Sequence, residues 1–312
     1  MPNLLDIKAR INSIQNTKKI TKAMKMVAAA KVKRSQNKVL SARPFARALG
    51  EAFAKVLSTT EAYSTTGIRA ERAIDNFSVL MEDREIKTAG ILVVTSNRGL
   101  AGAYNANVIR YVLKRIQEYK EKGIDSKVFI VGTKGVSSLK RRAEQAGFEI
   151  VKTYTKISQD PTSSNALVIA EDMAEAFVEH RIDSMEIVTT RFRNMMSYSV
   201  EDWKILPVNN VVEALGADTS ETHTVDPLMA FEPDSDRLLQ KIVPMFITNI
   251  IYQALLEAVA SELASRMTAM SSATNNADEM IRILSIDYNK VRQAAITNEI
   301  LEVVSGADAL KK

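Results

Sequence analysis

The sequence predicts a central Rossmann-like α/β domain combined with a long antiparallel coiled coil, in which the N- and C-terminal helices pair. Three observations lead to this fold class. Both ends of the chain carry apolar residues at alternating spacings of three and four, the spacing of a helix that packs along another helix. Between them, short apolar runs alternate with helical patterns, as in a layered α/β unit. The predicted boundaries are an N-terminal helix over 1–57, a connector over 58–87, an α/β domain over 88–208, a linker over 209–235 and a C-terminal helix over 236–312.

The N-terminal helix is predicted over residues 3–57, because no Gly occurs before Gly50 and the only internal proline is Pro44. Proline removes one backbone donor, so we expect a bend or a local distortion there. The apolar seam of this helix is predicted at Ile7, Ile11, Ile14, Ile20, Met24 and Val27.

This first helix is also strongly basic. It contains thirteen Lys and Arg residues and only two acidic residues, Asp6 and Glu51. We interpret this as a surface that meets acidic groups on a protein partner, although a solvated helix face is the usual explanation of a charge run. A basic coiled-coil protein that binds nucleic acid is the alternative. It is disfavoured because the only aromatic residues here, Phe45 and Phe53, lie outside the densest charges.

The spacing of apolar residues changes after the connector, from the helical spacing to short continuous runs. Strands are predicted over 91–94, 127–131 and 149–154, and helices over 104–122, 136–146 and 165–180. Residues 185–193 and 198–206 alternate as an antiparallel pair with Asn194 near the turn. This order predicts a small sheet with some parallel pairing.

The C-terminal helix would be a rod of about 110 Å if it is continuous. Residues 242–260 are apolar enough to be considered as a membrane span. Asn249, Gln253 and Glu257 form a polar stripe along them, so we expect a helix packed against protein. The seam predicted for the whole helix contains Leu238, Ile242, Met245, Asn249, Tyr252, Leu256, Val259, Leu263, Arg266, Met270, Ala273, Ala277, Met280, Leu284, Asp287, Val291, Ala294, Asn298 and Leu301.

No catalytic, cofactor-binding or metal-binding constellation is recognisable. Cys is absent, and His180 and His223 stand alone without a second ligand at metal-binding spacing. The glycine-rich segment 95–102 (TSNRGLAG) follows a strand, but it lacks the signature of a phosphate loop. A nucleotide-binding enzyme is therefore disfavoured, and the segment is interpreted as a turn between a strand and a helix. The first residues carry charges without an apolar core, so we expect no signal peptide.

Three segments carry a family resemblance. They are residues 7–27 (IKARINSIQNTKKITKAMKMV), residues 288–302 (YNKVRQAAITNEILE) followed by Gly306-Ala307, and residues 95–102, in which Asn97 replaces a common Asp. Together they resemble the gamma subunit of the F-type ATP synthase. The resemblance covers essentially the whole chain.

This resemblance implies a rotating central shaft that couples ion flow to ATP synthesis or hydrolysis. The implied partners are the alpha and beta subunits of the catalytic ring, the epsilon subunit and the c-ring of the membrane sector, with no nucleic acid. It implies no catalysis by the chain alone and no cofactor. The membrane would be reached only through partners, at the cytoplasmic face of a bacterial cell membrane.

The resemblance also assigns coupling contacts with the beta subunits. Met24 could instead be ordinary seam packing, and Thr297 and Glu299 could instead position helix against helix. The residues assigned by this matching are Met24, Lys25, Arg266, Gln293, Thr297 and Glu299.

Overall fold

The computed structural model describes residues 4–59, 72–157, 160–208 and 235–309. Its contacts divide the chain into two units. We call residues 31–265 the body, and residues 1–30 with 266–312 the terminal helix pair. Part of the predicted connector (60–71) and nearly all of the predicted linker (209–234) lie outside the described residues.

The described elements follow the predicted order. Three short helices add to it, a 3-10 helix over Ala73–Asp75, α2 over Phe77–Leu80 and α5 over Ala143–Ala146. The long helices are α1 over Leu4–Thr59 and α7 over Ser235–Ala309. The remaining elements are β1 (Thr88–Val94), α3 (Tyr104–Glu121), β2 (Asp125–Val131), α4 (Thr133–Lys140), β3 (Glu149–Tyr154), α6 (Ser163–Val178), β4 (Ser184–Asn194) and β5 (Ser197–Leu206).

The body is built on one five-stranded sheet with the strand order β3-β2-β1-β4-β5. The first four strands pair in parallel, and β5 pairs antiparallel with β4. In the centre, Leu92 lies opposite Phe129 on one side and Ile187 on the other. This arrangement confirms the predicted Rossmann-like unit.

Helices cover both faces of the sheet, and β1 is therefore buried on both sides. Ile91 and Val93 pack in the core formed with α3. Leu92 and Val94 alternate with them and pack in the core formed with α6 and α7. A strand buried on both faces has a continuous apolar sequence, which is why β1 was predictable.

One helix differs from the prediction. The pattern over 136–146 predicts a single helix, but the structure has α4 and α5 with a break at Arg141 and Arg142. Gly147 ends α5 in the left-handed conformation (φ 76°), which is the usual conformation after a helix C-terminus.

The predicted seam of α7 covers only part of the buried surface of this helix within the body. Its members Leu256 and Leu263 are buried, but Met245 is exposed. Fully buried positions outside the prediction include Leu239, Val243, Ile247 and Ala254. In this unit α7 contacts the sheet core rather than a single partner helix. Its buried surface is therefore wider than a coiled-coil seam, and it is centred on another side of the helix.

In the predicted polar stripe of α7, Gln253 and Glu257 are buried and Asn249 is half-buried. Glu257 is fully buried, and its carboxylate accepts hydrogen bonds from the Arg43 guanidinium (2.8 Å) and the Phe192 N–H (2.7 Å). The helix is long and apolar enough to span a membrane, but 61% of its most apolar segment is buried inside the protein. Protein packing of this segment agrees with the sequence-based expectation.

The glycine-rich turn after β1 is held by its own side chains. Asn97 Oδ1 accepts from Thr133 N–H (2.9 Å), and Asn97 Nδ2 donates to the Ile157 carbonyl (2.7 Å). A Cβ on Gly132 would lie 2.4 Å from the Thr95 carbonyl oxygen, so the two loops approach at van der Waals limits. Close packing against Thr95 and a positive φ thus account for the glycine that follows β2.

Candidate functional surface of the terminal helix pair

The terminal helix pair is held by a narrow seam. Ile7, Ala28, Met270 and Ala277 are its buried apolar members. The Thr21 and Thr274 hydroxyls lie 2.9 Å apart, and one turn further on Lys18 forms an ion pair with Asp278. As the number rises on one helix it falls on the other, so the pair is antiparallel, as predicted.

The seam of α1 differs from the prediction at two positions. Ile20 and Val27 are exposed, whereas Lys18, Thr21 and Ala28 face the partner helix. An interval of six residues from Ile14 to Ile20 is neither three, four nor seven, so Ile20 leaves the seam. Small and polar residues continue the seam instead.

The seam of α7 is shifted by one residue at alternate positions. Ile281, Tyr288 and Ala295 are half-buried, whereas the predicted members Met280, Asp287 and Ala294 are exposed. Asn298 and Leu301 are also exposed. Ala277, Leu284 and Val291 belong to the predicted seam and also to the observed one. The spacing of four and three is correct, but the two intervals occur in the opposite order.

The part of α1 that points away from the seam combines apolar and basic side chains. Ile20 and Met26 are each 60% exposed, and Val27 is 57% exposed. Lys19, Lys22 and Lys25 are exposed beside them, and none forms an ion pair with a described acidic residue. We call these six residues the outer face of α1.

The end of α7 extends past the described start of α1. The observed pairs set Leu4 level with about Val291, as expected for two antiparallel helices in one register. Beyond that level the apolar side chains of α7 are exposed, namely Ile296, Ile300, Leu301, Val303 and Val304. This exposed segment is the second apolar surface of the unit.

The structure places the sequence-predicted site residues in three separate places. Met24 is half-buried at the edge of the seam, and Lys25 is exposed next to it. Arg266 is 7% exposed at the beginning of the α7 part of the unit. Gln293, Thr297 and Glu299 are exposed on the last turns of α7.

Only two of these residues are directly joined. The Thr297 hydroxyl donates to the Gln293 carbonyl one turn earlier (2.9 Å). This bond satisfies the hydroxyl within its own helix. The Gln293 side chain and the Glu299 carboxylate remain available on the surface, since the described part of the chain offers them no hydrogen-bond partner.

The exposed surface of α7 carries a charged pair within one turn of the helix. Arg282 donates to both carboxylate oxygens of Glu279 (2.7 and 3.0 Å), and this hydrogen bonding holds the pKa of Glu279 below its ordinary value. Acidic and basic residues alternate on this helix, whereas the outer face of α1 has only one sign of charge. An acidic partner would therefore be attracted to α1 more than to α7.

Sequence reasoning missed Ile20, Met26 and Val27 as surface residues. Two were assigned to the seam because they are apolar, and Met26 was not assigned. The available signal was their spacing, since 20, 26 and 27 do not continue the series 7, 11, 14. Apolar residues outside a seam are a signature of a partner-binding surface.

Comparisons with known proteins agree with this architecture. The family model described as ATP synthase matches residues 3–310. The ATP synthase gamma chain of Synechococcus sp. (strain JA-3-3Ab) is 40% identical over 329 residues, which cover 99% of this chain and 100% of that one. The gamma chain of Gloeothece citriformis (strain PCC 7424) is 42% identical with the same coverage.

Solved structures share the fold. The central stalk and c-ring structure of the Tetrahymena thermophila mitochondrial ATP synthase contains a chain that is 25% identical, with a TM-score of 0.57 over 81% of this chain and 99% of that chain. A chain of the Euglena gracilis mitochondrial ATP synthase aligns over 98% of this chain and 94% of its own length, with a TM-score of 0.65 at 19% identity.

The fold thus defines a class of proteins in which the two chain ends pair as helices and an α/β body lies between them in sequence. Within that class, the full-length similarity is specific. The chain belongs to the ATP synthase gamma-chain family. The comparisons give no support to the nucleic-acid-binding alternative.

Proposed function

We propose that this chain is the rotating central-shaft subunit of an F-type ATP synthase, and that it transmits ion flow in the membrane sector to ATP synthesis or hydrolysis at the beta subunits. It has no catalytic site of its own. Its partners are the alpha and beta subunits, the epsilon subunit and the c-ring. It reaches the cytoplasmic face of a bacterial cell membrane only through them.

The observation that carries this proposal is the outer face of α1. Ile20, Met26 and Val27 are exposed to water and do not stabilise the helix pair itself. Exposed apolar groups in a patch mark a binding surface. The three lysines beside them add attraction for acidic groups. A surrounding ring with apolar and acidic surfaces would fit both properties.

The end of α7 supports the same assignment. Its exposed apolar side chains lie on a length of helix that no other described part of the chain covers. Such a segment is suited to a sleeve that contacts it from several sides.

Coupling requires a partner whose states bind the shaft differently. A ligand shifts an equilibrium only by its differential affinity for the two states. One face of α1 is apolar and basic while the charges of α7 are mixed, so rotation of the pair presents a different surface to each beta subunit in turn. We assign the differential contacts to Met24, Lys25, Arg266, Gln293, Thr297 and Glu299.

The lack of catalysis is supported by the glycine-rich turn. The Asn97 side chain uses its oxygen and its nitrogen within the protein, so this turn is built for packing. A phosphate-binding loop would instead direct backbone N–H groups at an open site.

Co-purification tests the assignment. The tagged chain is expressed with the alpha and beta subunits of the same organism. We expect one copy to join a six-subunit ring with ATPase activity. A chain that remains separate from the ring under these conditions would rule out the proposed function.

Met24→Lys tests the coupling contacts in the complete enzyme. We expect normal assembly and reduced ATP-driven ion pumping per ATP hydrolysed, because the variant adds a charge beside Lys25 and Lys22. Met245→Lys, at an exposed methionine of the body, is the matched control. Thermal unfolding of the isolated chains separates a damaged seam from a damaged contact. Normal pumping in Met24→Lys would remove Met24 from the coupling contacts.

A further inference from the structure

The body carries a groove of about 550 Å³ between α3 and the β4–β5 hairpin. Its lining lies wholly within the body, and none of the site residues assigned above belongs to it. Its wall on α3 contains Asn107, Arg110, Tyr111 and Lys114, and its other wall contains residues 196–198 and 200 of the hairpin and β5.

The two basic residues of the groove stand four positions apart on α3. Like charges at this spacing face the same side of a helix and destabilise it slightly. Arg110 has no ion pair with any described residue. Lys114 approaches Glu118 at 3.7 Å, but Glu118 already accepts a 2.9 Å bond from Arg115. Two incompletely neutralised cations therefore line one wall.

The opposite wall presents an apolar side chain in a fixed position. Met196 is 86% exposed, the highest value among the large apolar residues of the described chain. The turn below it is rigid, because Asn194 Oδ1 accepts from the N–H groups of Met196 (2.8 Å) and Ser197 (2.9 Å). The exposure of Met196 is thus set by the fold.

The floor of the groove is already hydrogen-bonded. Asn107 donates to the Tyr198 hydroxyl (3.2 Å), and the Tyr111 hydroxyl donates to Asp202. Burial and this bond to Asp202 raise the pKa of Tyr111 to about 12, so the hydroxyl stays protonated. The groove is preorganised, and its unused groups are the Arg110 and Lys114 cations and the Met196 side chain.

We propose that this groove is a docking site for an acidic protein segment that also carries an apolar residue, supplied by a partner subunit of the assembled enzyme. Charge complementarity selects the acidic segment, and the Met196 side chain supplies the apolar contact. The inference rests on the proposed function, because it takes the partner from the same assembly.

Site-specific cross-linking in the assembled enzyme tests it. Met196 is replaced by p-benzoylphenylalanine, the complex is illuminated, and the adduct is located by mass spectrometry. We expect one main adduct, on a segment with net negative charge. Its yield should fall about tenfold in the Arg110→Glu/Lys114→Glu background, because reversed charges repel an acidic partner.

A matched charge reversal controls for net charge. Lys140→Glu/Arg141→Glu changes the charge equally outside the groove and should leave the yield unchanged. Arg110→Gln/Lys114→Gln provides a milder variant if charge reversal impairs folding. An adduct on a neutral or basic segment, an equal loss in both reversals, or no adduct in an active complex would overturn the docking site.

The outcome is separable from the test of the proposed function. Ring assembly and ATPase activity are measured on the same preparation. An active complex without the expected adduct contradicts only the docking site, whereas a chain that joins no ring contradicts both.

Discussion

The body and the terminal helix pair use the same helix, α7, in different ways. In the body, α7 is buried over most of its circumference and holds a fully buried carboxylate at Glu257. In the terminal helix pair it is buried along one seam, and its other sides carry exposed apolar and charged residues. The difference teaches that one continuous helix can be a core element in one part of its length and a binding surface in another.

This comparison has an energetic consequence. Substitutions at buried positions of the body remove interactions that water cannot replace, because the groups are inaccessible to solvent. Substitutions outside the seam of the terminal helix pair remove little from the isolated chain, and their cost appears only when a partner is bound. The predictions below test this difference, from the largest expected effect to the smallest.

Glu257→Ala should be the most damaging. It removes the acceptor of the buried Phe192 N–H and the carboxylate that pairs with Arg43. Loss of one partner of a fully buried pair costs about 3–5 kcal/mol, and we expect about 3 kcal/mol here because the Arg43 side chain is 38% exposed and still donates to the Phe192 carbonyl. Denaturant unfolding followed through Trp203 measures the loss. Glu51→Ala, which breaks an exposed pair with Arg47, should cost under about 1 kcal/mol. Equal losses in the two variants would contradict the comparison.

Gly132→Ala should be the next most damaging. Its backbone has φ 96°, and the added Cβ would meet the Thr95 carbonyl oxygen at 2.4 Å. We expect a loss of about 1–3 kcal/mol. Gly123 also has positive φ, at 72°, but no atom lies within 4 Å of an added Cβ. Gly123→Ala should therefore cost less, and the reverse order would show that packing at the turn is not limiting.

The Thr21 and Thr274 hydroxyls should contribute less. A double-mutant cycle with Thr21→Val and Thr274→Val should give a coupling of about 0.5–1.5 kcal/mol, the net value of one hydrogen bond. Hydrogen exchange of the amides around Thr21 reports this local stability. A coupling near zero would mean that the contact between the two threonine hydroxyls does not stabilise the seam.

Ile20→Ser should have the smallest effect on the isolated chain, within about 0.5 kcal/mol. Ile7→Ser, at a buried seam position, is the matched control and should reduce helix-pair stability clearly. In the assembled enzyme we expect Ile20→Ser to reduce coupling. A large loss of stability from Ile20→Ser alone would show that Ile20 packs in the seam after all.

The elements with a clear period were predictable from sequence. The continuous apolar run from Ile91 to Val94 predicts a short strand, and the structure has it at the centre of the sheet. The alternation on both sides of Asn194 likewise became β4 and β5. These signals are local, so no knowledge of distant residues was needed.

The seam could not be placed to the residue. Beyond Ala277, α7 carries apolar residues on more than one face, at Met280, Ile281, Ile283 and Ile286, so the sequence gives little difference between one face and the next. The true phase depends on pairs such as Lys18 with Asp278, which distant parts of the chain contribute. The groove beside Met196 was hidden for the same reason, since α3 and the hairpin meet only in the fold.

The Thr21–Thr274 contact joins positions that are 253 residues apart in the chain. At roughly 5–20 residues per second, a ribosome needs about 13–50 s to synthesise the second residue after the first. Throughout that interval the nascent α1 carries its apolar and basic face without the helix that covers its seam. The strands of the central sheet lie within one continuous part of the sequence, so the sheet can form before α7 is available to pair with the start of α1. Protection of the first thirty residues during translation is therefore a requirement that this topology places on the cell.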